Sequence, residues 1–239
     1  MKTIICAIAK NEDNYIKDFC EYHLSLGFDE IHIYDNGTEI PLKDDRIIVH
    51  PFREIDSKCP QMAAYSDMLS NTDADWCAFI DIDEFITLNG YTSISEFISS
   101  LPSNTAAIKL SNVTYGDSGL IVPKDISIPV YERITECSYK KQHMAYKYIL
   151  KTDKKWKMES PHHIFAFDKS SEPVINMPNM DCYIRHYKTK TLSEFCDQKL
   201  NTPRVFDQTK MRNIDYYFQV NKKTPEKITY LKSRGIEVD

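Results

Sequence analysis

The order of apolar and polar positions predicts alternating strands and helices over the first ninety residues. Thr3 to Ala9 form an unbroken apolar run of strand length, which is typical of a parallel strand covered on both faces. A helix is predicted over Asp13 to Leu26, where apolar residues recur every three or four positions and Gly27 is placed to end it. Further strands are predicted at 30–35, 46–50 and 76–80, and a further helix at 61–69. This alternation predicts a mostly parallel sheet with helices on its faces.

The rest of the chain mixes short strands with clearly marked helices. Two capping-box patterns, Ser93 to Glu96 and Thr191 to Glu194, each predict a helix start. A third helix is predicted from Thr224-Pro225 to Gly235. Short strands are expected at 107–110, 126–131 and 146–150. No linker rich in Gly, Ser or Pro divides the chain, so we expect one α/β unit with a helical C-terminal extension.

Acidic residues directly follow a buried strand in Asp81-Ile82-Asp83-Glu84. In an extended segment, side chains two positions apart point the same way, so Asp81 and Asp83 are predicted to converge while Ile82 faces the core. Ligands of open α/β sheets bind beyond the carboxyl ends of the strands. Hard oxygen ligands suit Mg²⁺ or Mn²⁺ shared with substrate phosphates. The segment therefore predicts a divalent cation site.

Two further strands deliver polar groups to the same edge of the predicted sheet. The first strand ends in Ala9-Lys10-Asn11-Glu12, and the second ends in Asp35-Asn36. Together they predict the floor of a cleft, in which a carboxylate or amide could accept the N3–H of a uracil. The alternatives remain open that Asn36-Gly37 is a turn and that Asn11-Glu12 is a helix start.

An ordered set of motifs resembles those of bacterial glycosyltransferases related to families 2 and 92. The motifs are Ala9-Lys10-Asn11-Glu12, Ile33-Tyr34-Asp35-Asn36, Gln61, Ile80 to Phe85, Tyr115 to Gly119, Lys147-Tyr148-Ile149, Pro161-His162-His163 and His186-Tyr187 with Lys199 downstream. The resemblance extends to about Arg204. It implies a GT-A fold and a nucleoside diphosphate sugar donor, with a metal held through Asp83 and with Asp81 on the ribose or the metal. It also implies transfer with inversion.

The resemblance implies a division of the chain and a set of donor-binding residues. Residues 1–186 would form the GT-A catalytic domain, with a nucleotide-sugar half (1–90) and an acceptor half (91–186), followed by a basic helical extension (187–239). The acceptor would be a hydroxyl of a glycan or lipid-linked molecule in surface-polysaccharide synthesis. The predicted uracil contact makes a UDP-sugar the expected donor. The residues predicted to bind it are Ala9, Asn11, Glu12, Asp35, Asn36, Lys58, Gln61, Asp81 and Lys147.

The predicted sugar transfer also requires side chains that stabilise the leaving group, complete the metal site and remove a proton from the acceptor. A metal bridging both phosphates would stabilise the leaving diphosphate, and Lys58 and Lys147 are predicted to assist. His162, His163 and His186 compete to complete the metal site, with His163 and His186 preferred. Inversion needs a general base within reach of the acceptor hydroxyl, and Asp117, Glu159 and Glu84 are the candidates. Asp117 is favoured because glycines flank its loop.

Charge and cysteine content indicate which partners and which cell compartment to expect. The net charge of −5 argues against a nucleic-acid binder, yet from Arg185 onward there are 12 Lys and Arg against 7 Asp and Glu. This basic tail could contact an anionic membrane, or it could be a solvated helical surface. The seven Cys form no C-x-x-C pair and favour reduced thiols. With an apolar start too short for a signal or membrane segment, the chain is expected in the cytoplasm, on or near the inner face of the plasma membrane.

Three other functions compete with this hypothesis. A haloacid-dehalogenase phosphatase also places D-x-D after an apolar strand, but Gly116-Asp117 is not followed by the acid that class requires. A nucleotidyltransferase would need a glycine-rich loop after the first strand, and Ala9-Lys10-Asn11-Glu12 has no glycine. A non-catalytic carbohydrate-binding protein could keep the same fold.

Overall fold

The computed structural model of the 239-residue chain describes residues 1–37, 44–52, 59–138, 146–166, 174–177, 181–202 and 211–238. The strands are β1 (Thr3–Ala9), β2 (Glu30–Asp35), β3 (Ile47–Pro51), β4 (Trp76–Phe79), β5 (Glu84–Leu88), β6 (Ala107–Thr114), β7 (Tyr146–Lys151), β8 (Trp156–Ser160), β9 (His163–Ala166), β10 (Val174–Met177) and β11 (Cys182–His186). The helices are α1 (Ile16–Ser25), α2 (Pro60–Asn71), α3 (Ile94–Ser100), α4 (Val130–Arg133), α5 (Leu192–Gln198), α6 (Ile214–Phe218) and α7 (Pro225–Ser233).

The main sheet has the strand order β3-β2-β1-β4-β7-β6-β11-β5, with β10 beside β6. The half formed by β3, β2, β1 and β4 is parallel, whereas β7 pairs antiparallel with both β4 and β6. β8 and β9 form a separate antiparallel pair. The predicted α/β class with helices alongside a central sheet is therefore confirmed. Beyond β4 the sheet is no longer purely parallel.

Both faces of β1 are buried, as its unbroken apolar run predicts. Ile4 and Cys6 join a core cluster with α2 residues such as Tyr65 and Met68, and Ile5 and Ala7 are also fully buried. α1 contributes Phe19 and Cys20 to the core through its periodic apolar face. Burying each such side chain stabilises the fold by about 1.5–3 kcal/mol. This layered packing holds the parallel strands in register.

His23 shows how α1 is attached to β5. Its Nδ1 lies 2.8 Å from the Phe19 carbonyl oxygen, and its Nε2 accepts a hydrogen bond of 3.2 Å from the Ile86 amide. Burial lowers the His23 pKa to about 3, so the ring stays neutral with its proton on Nδ1. The ring also stacks on Phe85 with a centroid separation of 5.6 Å. His23 is thus a structural residue in this core.

Most predicted elements exist, and one prediction is wrong. β1 and β2 have the predicted bounds, while α1 begins at Ile16 because residues 13–15 form a turn. The strand predicted at 126–131 is replaced by turns and the short helix α4. Pro129 caps that helix at φ −52° and has no amide to donate to a strand ladder. Ile126 and Ile128 are exposed, so no sheet buries that alternating pattern.

The chain divides into two compact units. The larger unit comprises Met1–Asn112 and Met144–Arg185, and the smaller unit comprises Val113–His143 and His186–Asp239. The predicted division at residue 186 stays a prediction, and the smaller unit adds 113–143 to the C-terminal segment. All seven cysteines are free thiols, four of them buried. No helix among the described residues is long and apolar enough to cross a membrane.

Candidate active site

In the parallel half of the sheet, the order in which the chain adds strands reverses between β1 and β4. From β1 the chain passes through α1 to β2 and then to β3 on one side, and α2 returns it to β4 on the other side of β1. Loops that leave neighbouring strands in opposite directions open a crevice at their carboxyl ends, where ligands of such sheets bind. Cys6 pairs with Phe79, and the Ile80 amide donates to the Cys6 carbonyl at 3.4 Å. The acidic turn after β4 therefore begins beside the last third of β1.

The ends of β1 and β2 are tied together at this edge. The Asn36 amide donates to the Ala9 carbonyl at 2.8 Å, and the Asn11 amide donates to the Gly37 carbonyl at 3.4 Å. Asn11 has φ 55°, a left-handed conformation that asparagine tolerates better than most residues. Asp35 Oδ1 accepts from the Gly37 amide at 2.8 Å, which makes Asn36-Gly37 a side-chain-stabilised turn. The turn interpretation is correct, and the same turn places Asn11, Asp35 and Asn36 at one edge.

The residues Asp81 to Glu84 form a turn instead of continuing the strand. β4 ends at Phe79, and the Glu84 amide donates to the Asp81 carbonyl at 3.0 Å. The prediction that Asp81 and Asp83 converge as alternate residues of an extended segment is therefore wrong in its premise. The turn gives its acids different surroundings: the Asp81 side chain is 34% exposed, Asp83 is buried, and Glu84 is fully buried. Ile82 packs into the core as predicted.

Lys147 on β7 is the cation at this acidic turn. Its Nζ lies 2.8 Å from Asp81 Oδ2 and 3.3 Å from Glu84 Oε2, and its side chain is fully buried. Glu84 Oε2 also accepts from the Asp81 amide at 2.9 Å, and Glu84 Oε1 accepts from Asn112 Nδ2 at 3.0 Å. Glu84 therefore holds the backbone of the turn through the Asp81 amide, while Lys147 lies between the carboxylates of Asp81 and Glu84.

Gln61 extends this network to the first turn of α2. Its Nε2 donates to Asp81 Oδ1 and also lies 2.8 Å from the Tyr65 hydroxyl. Tyr65 is fully buried, and burial together with the Asp81 charge raises the pKa of its phenol. One carboxylate oxygen of Asp81 therefore contacts Lys147, and the other accepts from Gln61. These two contacts orient the Asp81 side chain, which is 34% exposed.

The carboxylates keep Lys147 charged despite its burial. Burial alone would lower the Lys147 pKa, but the charges of Asp81 and Glu84 outweigh it and raise that pKa above its ordinary value. A buried ammonium of this kind costs desolvation free energy that only close partners offset. Lys147 is therefore a fixed positive charge beneath the turn.

The donor set fits a divalent cation that is shared with a substrate. Among the described residues, no three or more His, Cys, Asp and Glu side chains are grouped to hold a metal ion. The three acids of the turn and Lys147 nevertheless carry three negative charges and one positive, a formal −2. Mg²⁺ is commonly held by one or two carboxylates, with water and substrate phosphates completing its shell. Asp81 and Asp83 would be the protein ligands of such an ion.

The remaining predicted residues of the larger unit have varied surroundings. His163 is exposed at the start of β9. His162 Nδ1 lies 3.0 Å from the Tyr146 carbonyl oxygen, which gives it a structural contact. Glu159 is exposed on β8, with its carboxylate 3.6 Å from Lys157 Nζ. The side chain of Glu12 is half-buried, and Lys58 lies outside the described residues.

Asp117 and His186 belong to the smaller unit. Asp117 is buried and forms an ion pair with Lys227, while its Oδ2 accepts a hydrogen bond from the Tyr217 hydroxyl. Its amide donates to Asn221 Oδ1 at 2.7 Å, and its Oδ1 accepts from the Gly119 amide at 2.9 Å. His186 is half-buried at the end of β11, and its carbonyl accepts from the Tyr115 amide at 2.9 Å.

Sequence reasoning missed two participants in the network, Asn112 and Tyr65. Asn112 is buried near the end of β6, in register with buried Ile108 and Leu110, and this place in the alternation was the available signal. Tyr65 lies four residues after Gln61 on α2, the spacing that places two side chains on one helical face. Their partners are remote in sequence, so residue type alone did not identify them.

Comparisons with solved structures found partial matches, two proteins among them. The Staphylococcus aureus protein TarS (residues 1–349) is 13% identical with a TM-score of 0.47, over 78% of this chain and 60% of its own. Its complex with UDP-GlcNAc gives a TM-score of 0.43 at 13% identity, over 82% and 64%. Glucosyl-3-phosphoglycerate synthase from Mycobacterium tuberculosis, with Mn²⁺, UDP-glucose and phosphoglyceric acid, gives 0.32 at 15% identity, over 64% and 57%.

Sequence comparisons are more specific. A glycosyltransferase family 92 protein of Ricinus communis is 25% identical over 127 residues, which are 48% of this chain and 23% of that protein. The chain therefore matches about a quarter of the length of this relative. The model of glycosyltransferase family 92 matches residues 3–224, which include the acidic turn, Gln61 and Lys147. The chain belongs to glycosyltransferase family 92.

Proposed function

We propose that this chain transfers a sugar from a nucleoside diphosphate sugar to a hydroxyl of a glycan or lipid-linked acceptor, with inversion and with a divalent cation, Mn²⁺ or Mg²⁺. The observation that carries the proposal is the acidic turn at the β1/β4 switch point of a family 92 chain. The parallel half of the sheet agrees with the GT-A fold implied by the sequence motifs. A haloacid-dehalogenase phosphatase finds no support in this family membership.

The proposed donor site uses the edge formed by β1, β2 and β4. Asn11, Asp35 and Asn36 would hold the nucleoside, with uracil the first base to test because a carboxylate or amide can accept its N3–H. Asp81 would contact the ribose or the metal, and Asp83 would bind the metal. When bound, the cation would neutralise charge on the leaving diphosphate. In this proposal Lys147 acts from beneath Asp81, because its ammonium is already engaged by two carboxylates.

The general base is proposed from three carboxylates whose surroundings differ. Glu84 is fully buried and hydrogen-bonded through both oxygens, and Asp117 is buried against Lys227. Glu159 is exposed. A base must come within hydrogen-bond reach of the acceptor oxygen, so exposure favours Glu159 and burial favours supporting roles for the other two. The predicted metal contacts of His163 and His186 remain proposals.

Titration calorimetry of UDP with and without Mn²⁺ tests the donor site. Asp83→Asn is expected to weaken Mn²⁺-dependent UDP binding by about tenfold or more, since one charged ligand of the cation is lost. Asp45→Asn is the matched control, because this exposed acid precedes β3 at the opposite, amino-terminal edge of the parallel strands. A thermal melt of each variant separates lost binding from lost folding.

Turnover is tested by the release of free UDP from a panel of UDP-sugars with Mn²⁺. Slow hydrolysis that Asp83→Asn removes supports an enzyme. Unchanged Mn²⁺-dependent UDP affinity in Asp83→Asn would overturn the metal site. UDP binding without release from any donor would support a carbohydrate-binding protein instead.

A further inference from the structure

A short loop of the smaller unit displays aliphatic side chains to solvent. Six large hydrophobic residues are exposed in the part of the chain that the structure describes, and three of them lie within seven residues. They are Val122, Ile126 and Ile128, which are 51%, 52% and 39% exposed. The other three are scattered at Met1, Val49 and Met211. Single exposed aliphatic residues are ordinary, whereas a cluster marks a contact surface.

This loop, residues 122–128, is anchored at both ends. Before it, Ile121 packs against the core of the smaller unit, and its carbonyl accepts from the Ser193 amide at 2.8 Å. At its other end the Ile128 carbonyl accepts from Arg133 Nε at 3.1 Å, and Arg133 is itself paired with buried Glu194. The exposed side chains are therefore held outward by a fixed backbone.

Asp125 and Ser127 are hydrogen-bonded to each other within the loop. Asp125 Oδ1 accepts from the Ser127 amide at 2.9 Å and from the Ser127 hydroxyl at 2.8 Å, and these bonds lower the Asp125 pKa. The Ile128 amide donates to the Asp125 carbonyl at 3.4 Å. These bonds close a turn around Ile126 and pair part of the loop's polar groups before any contact with a surface.

Charge is divided between the two units in a way that suits an anionic surface. The smaller unit has 15 Lys and Arg against 11 Asp and Glu, and the larger unit has 15 against 24. An anionic lipid surface attracts basic residues and repels acidic ones within a Debye length. It would therefore favour contact through the smaller unit, which carries the loop.

We propose that loop 122–128 inserts Val122, Ile126 and Ile128 into the headgroup region of an anionic phospholipid bilayer, with the basic charge of the smaller unit drawing it there. A bilayer fits better than a protein partner, because a stable protein interface buries about 800 Å² on each side, far more than three half-exposed side chains supply. The inference does not depend on the glycosyltransferase proposal.

Vesicle flotation of the full chain tests the proposal. The vesicles contain phosphatidylcholine alone or with phosphatidylglycerol at a 7:3 ratio, a choice of about 30% anionic lipid that mimics an anionic leaflet. The chain is expected to float with the anionic vesicles and to be released by high salt. The triple variant Val122→Ser/Ile126→Ser/Ile128→Ser is expected to lower the partition coefficient on the order of 100-fold. Val49→Ser, an exposed aliphatic of the larger unit, is the matched control and should float like the wild type.

A fluorescence measurement locates the loop directly. Ile126→Trp is expected to show a blue-shifted emission and quenching by brominated lipid when anionic vesicles are added, and Val49→Trp is expected to show neither. All substituted side chains are exposed, so circular dichroism should match the wild type. Flotation of the triple variant equal to the wild type would overturn the proposal, as would an unquenched Ile126→Trp. Self-association in sedimentation that the triple variant removes, without flotation, would overturn it in favour of a contact between copies of the chain.

Discussion

Replacing Lys147 tests the network beneath the acidic turn. Lys147→Met keeps a long unbranched side chain of similar shape but removes the ammonium that lies 2.8 Å from Asp81 and 3.3 Å from Glu84. Removing one partner of a buried ion pair costs about 3–5 kcal/mol, because a buried charge is left uncompensated. The Asp81 side chain is 34% exposed and can be hydrated, so the penalty falls mainly on Glu84. Since Glu84 retains bonds from Asn112 and the Asp81 amide, we expect about 3 kcal/mol, the lower end of that range.

Urea unfolding followed by tryptophan fluorescence measures this loss selectively. The chain has two tryptophans, Trp76 and Trp156, and both belong to the larger unit, so the signal reports that unit. Lys157→Met is the matched control, because its exposed pair with Glu159 should contribute little.

A second substitution separates charge from packing. In Lys147→Met/Glu84→Gln the buried carboxylate becomes neutral, so most of the lost stability should return. In the single variant, the Glu84 pKa should rise and the deficit should shrink as the pH falls, because protonation then removes the unpaired charge. A loss below about 1 kcal/mol for Lys147→Met, the size of an exposed pair, would refute the reasoning. No recovery on adding Glu84→Gln would refute it as well.

Three further predictions concern the smaller unit. Burial alone would raise the Glu194 pKa, but Arg133 and Thr191 lower it to about 2. The Arg133–Glu194 pair should therefore stabilise the unit above about pH 4.5 and lose its contribution as the pH falls towards 2. Glu194→Gln should remove this loss from an acid titration followed by tyrosine near-ultraviolet dichroism. Thr191→Ala should cost about 1 kcal/mol, measured as faster amide exchange in α5, because it removes the cap of a complete capping box. Asp117→Asn should lower the melting temperature of the smaller unit by leaving buried Lys227 unpaired; an unchanged melt with lost turnover would instead identify Asp117 as the general base.

Elements with strong local signals could be predicted from the sequence. β1 has the expected bounds because a parallel strand buried on both faces must be apolar throughout or nearly so. β2 has them because buried Ile31 and Ile33 alternate with partly exposed Glu30 and His32, the pattern of a strand with one buried face. The Thr191 helix begins as predicted because its cap is local, with Thr191 and Glu194 satisfying each other's backbone amides. The Ser93 helix has half of its predicted box, since Glu96 reaches the Thr92 amide instead.

Elements defined by remote partners could not be predicted. β5 was missed because Glu84 was assigned to an acidic motif, although its strand starts at that residue. The pattern at 126–131 alternates like a strand, yet no neighbouring strand covers it and Pro129 ends it. Periodicity reports which residues could share a face, but only the fold decides whether that face meets a partner.

The acidic turn shows why residue type alone does not assign roles at a site. Asp81, Asp83 and Glu84 are close in sequence and chemically alike, so each qualified as a ligand or a base. The turn directs Glu84 into a fully buried position between Lys147, Asn112 and the Asp81 amide, and it leaves Asp81 partly open to solvent. A carboxylate with both oxygens engaged and no exposure can position a neighbour, but it has no access to an acceptor. The buried acid and its lysine therefore support the turn, and in the proposed donor site Asp81, which stays partly exposed beside Lys147 and Gln61, is the carboxylate that a cation could reach.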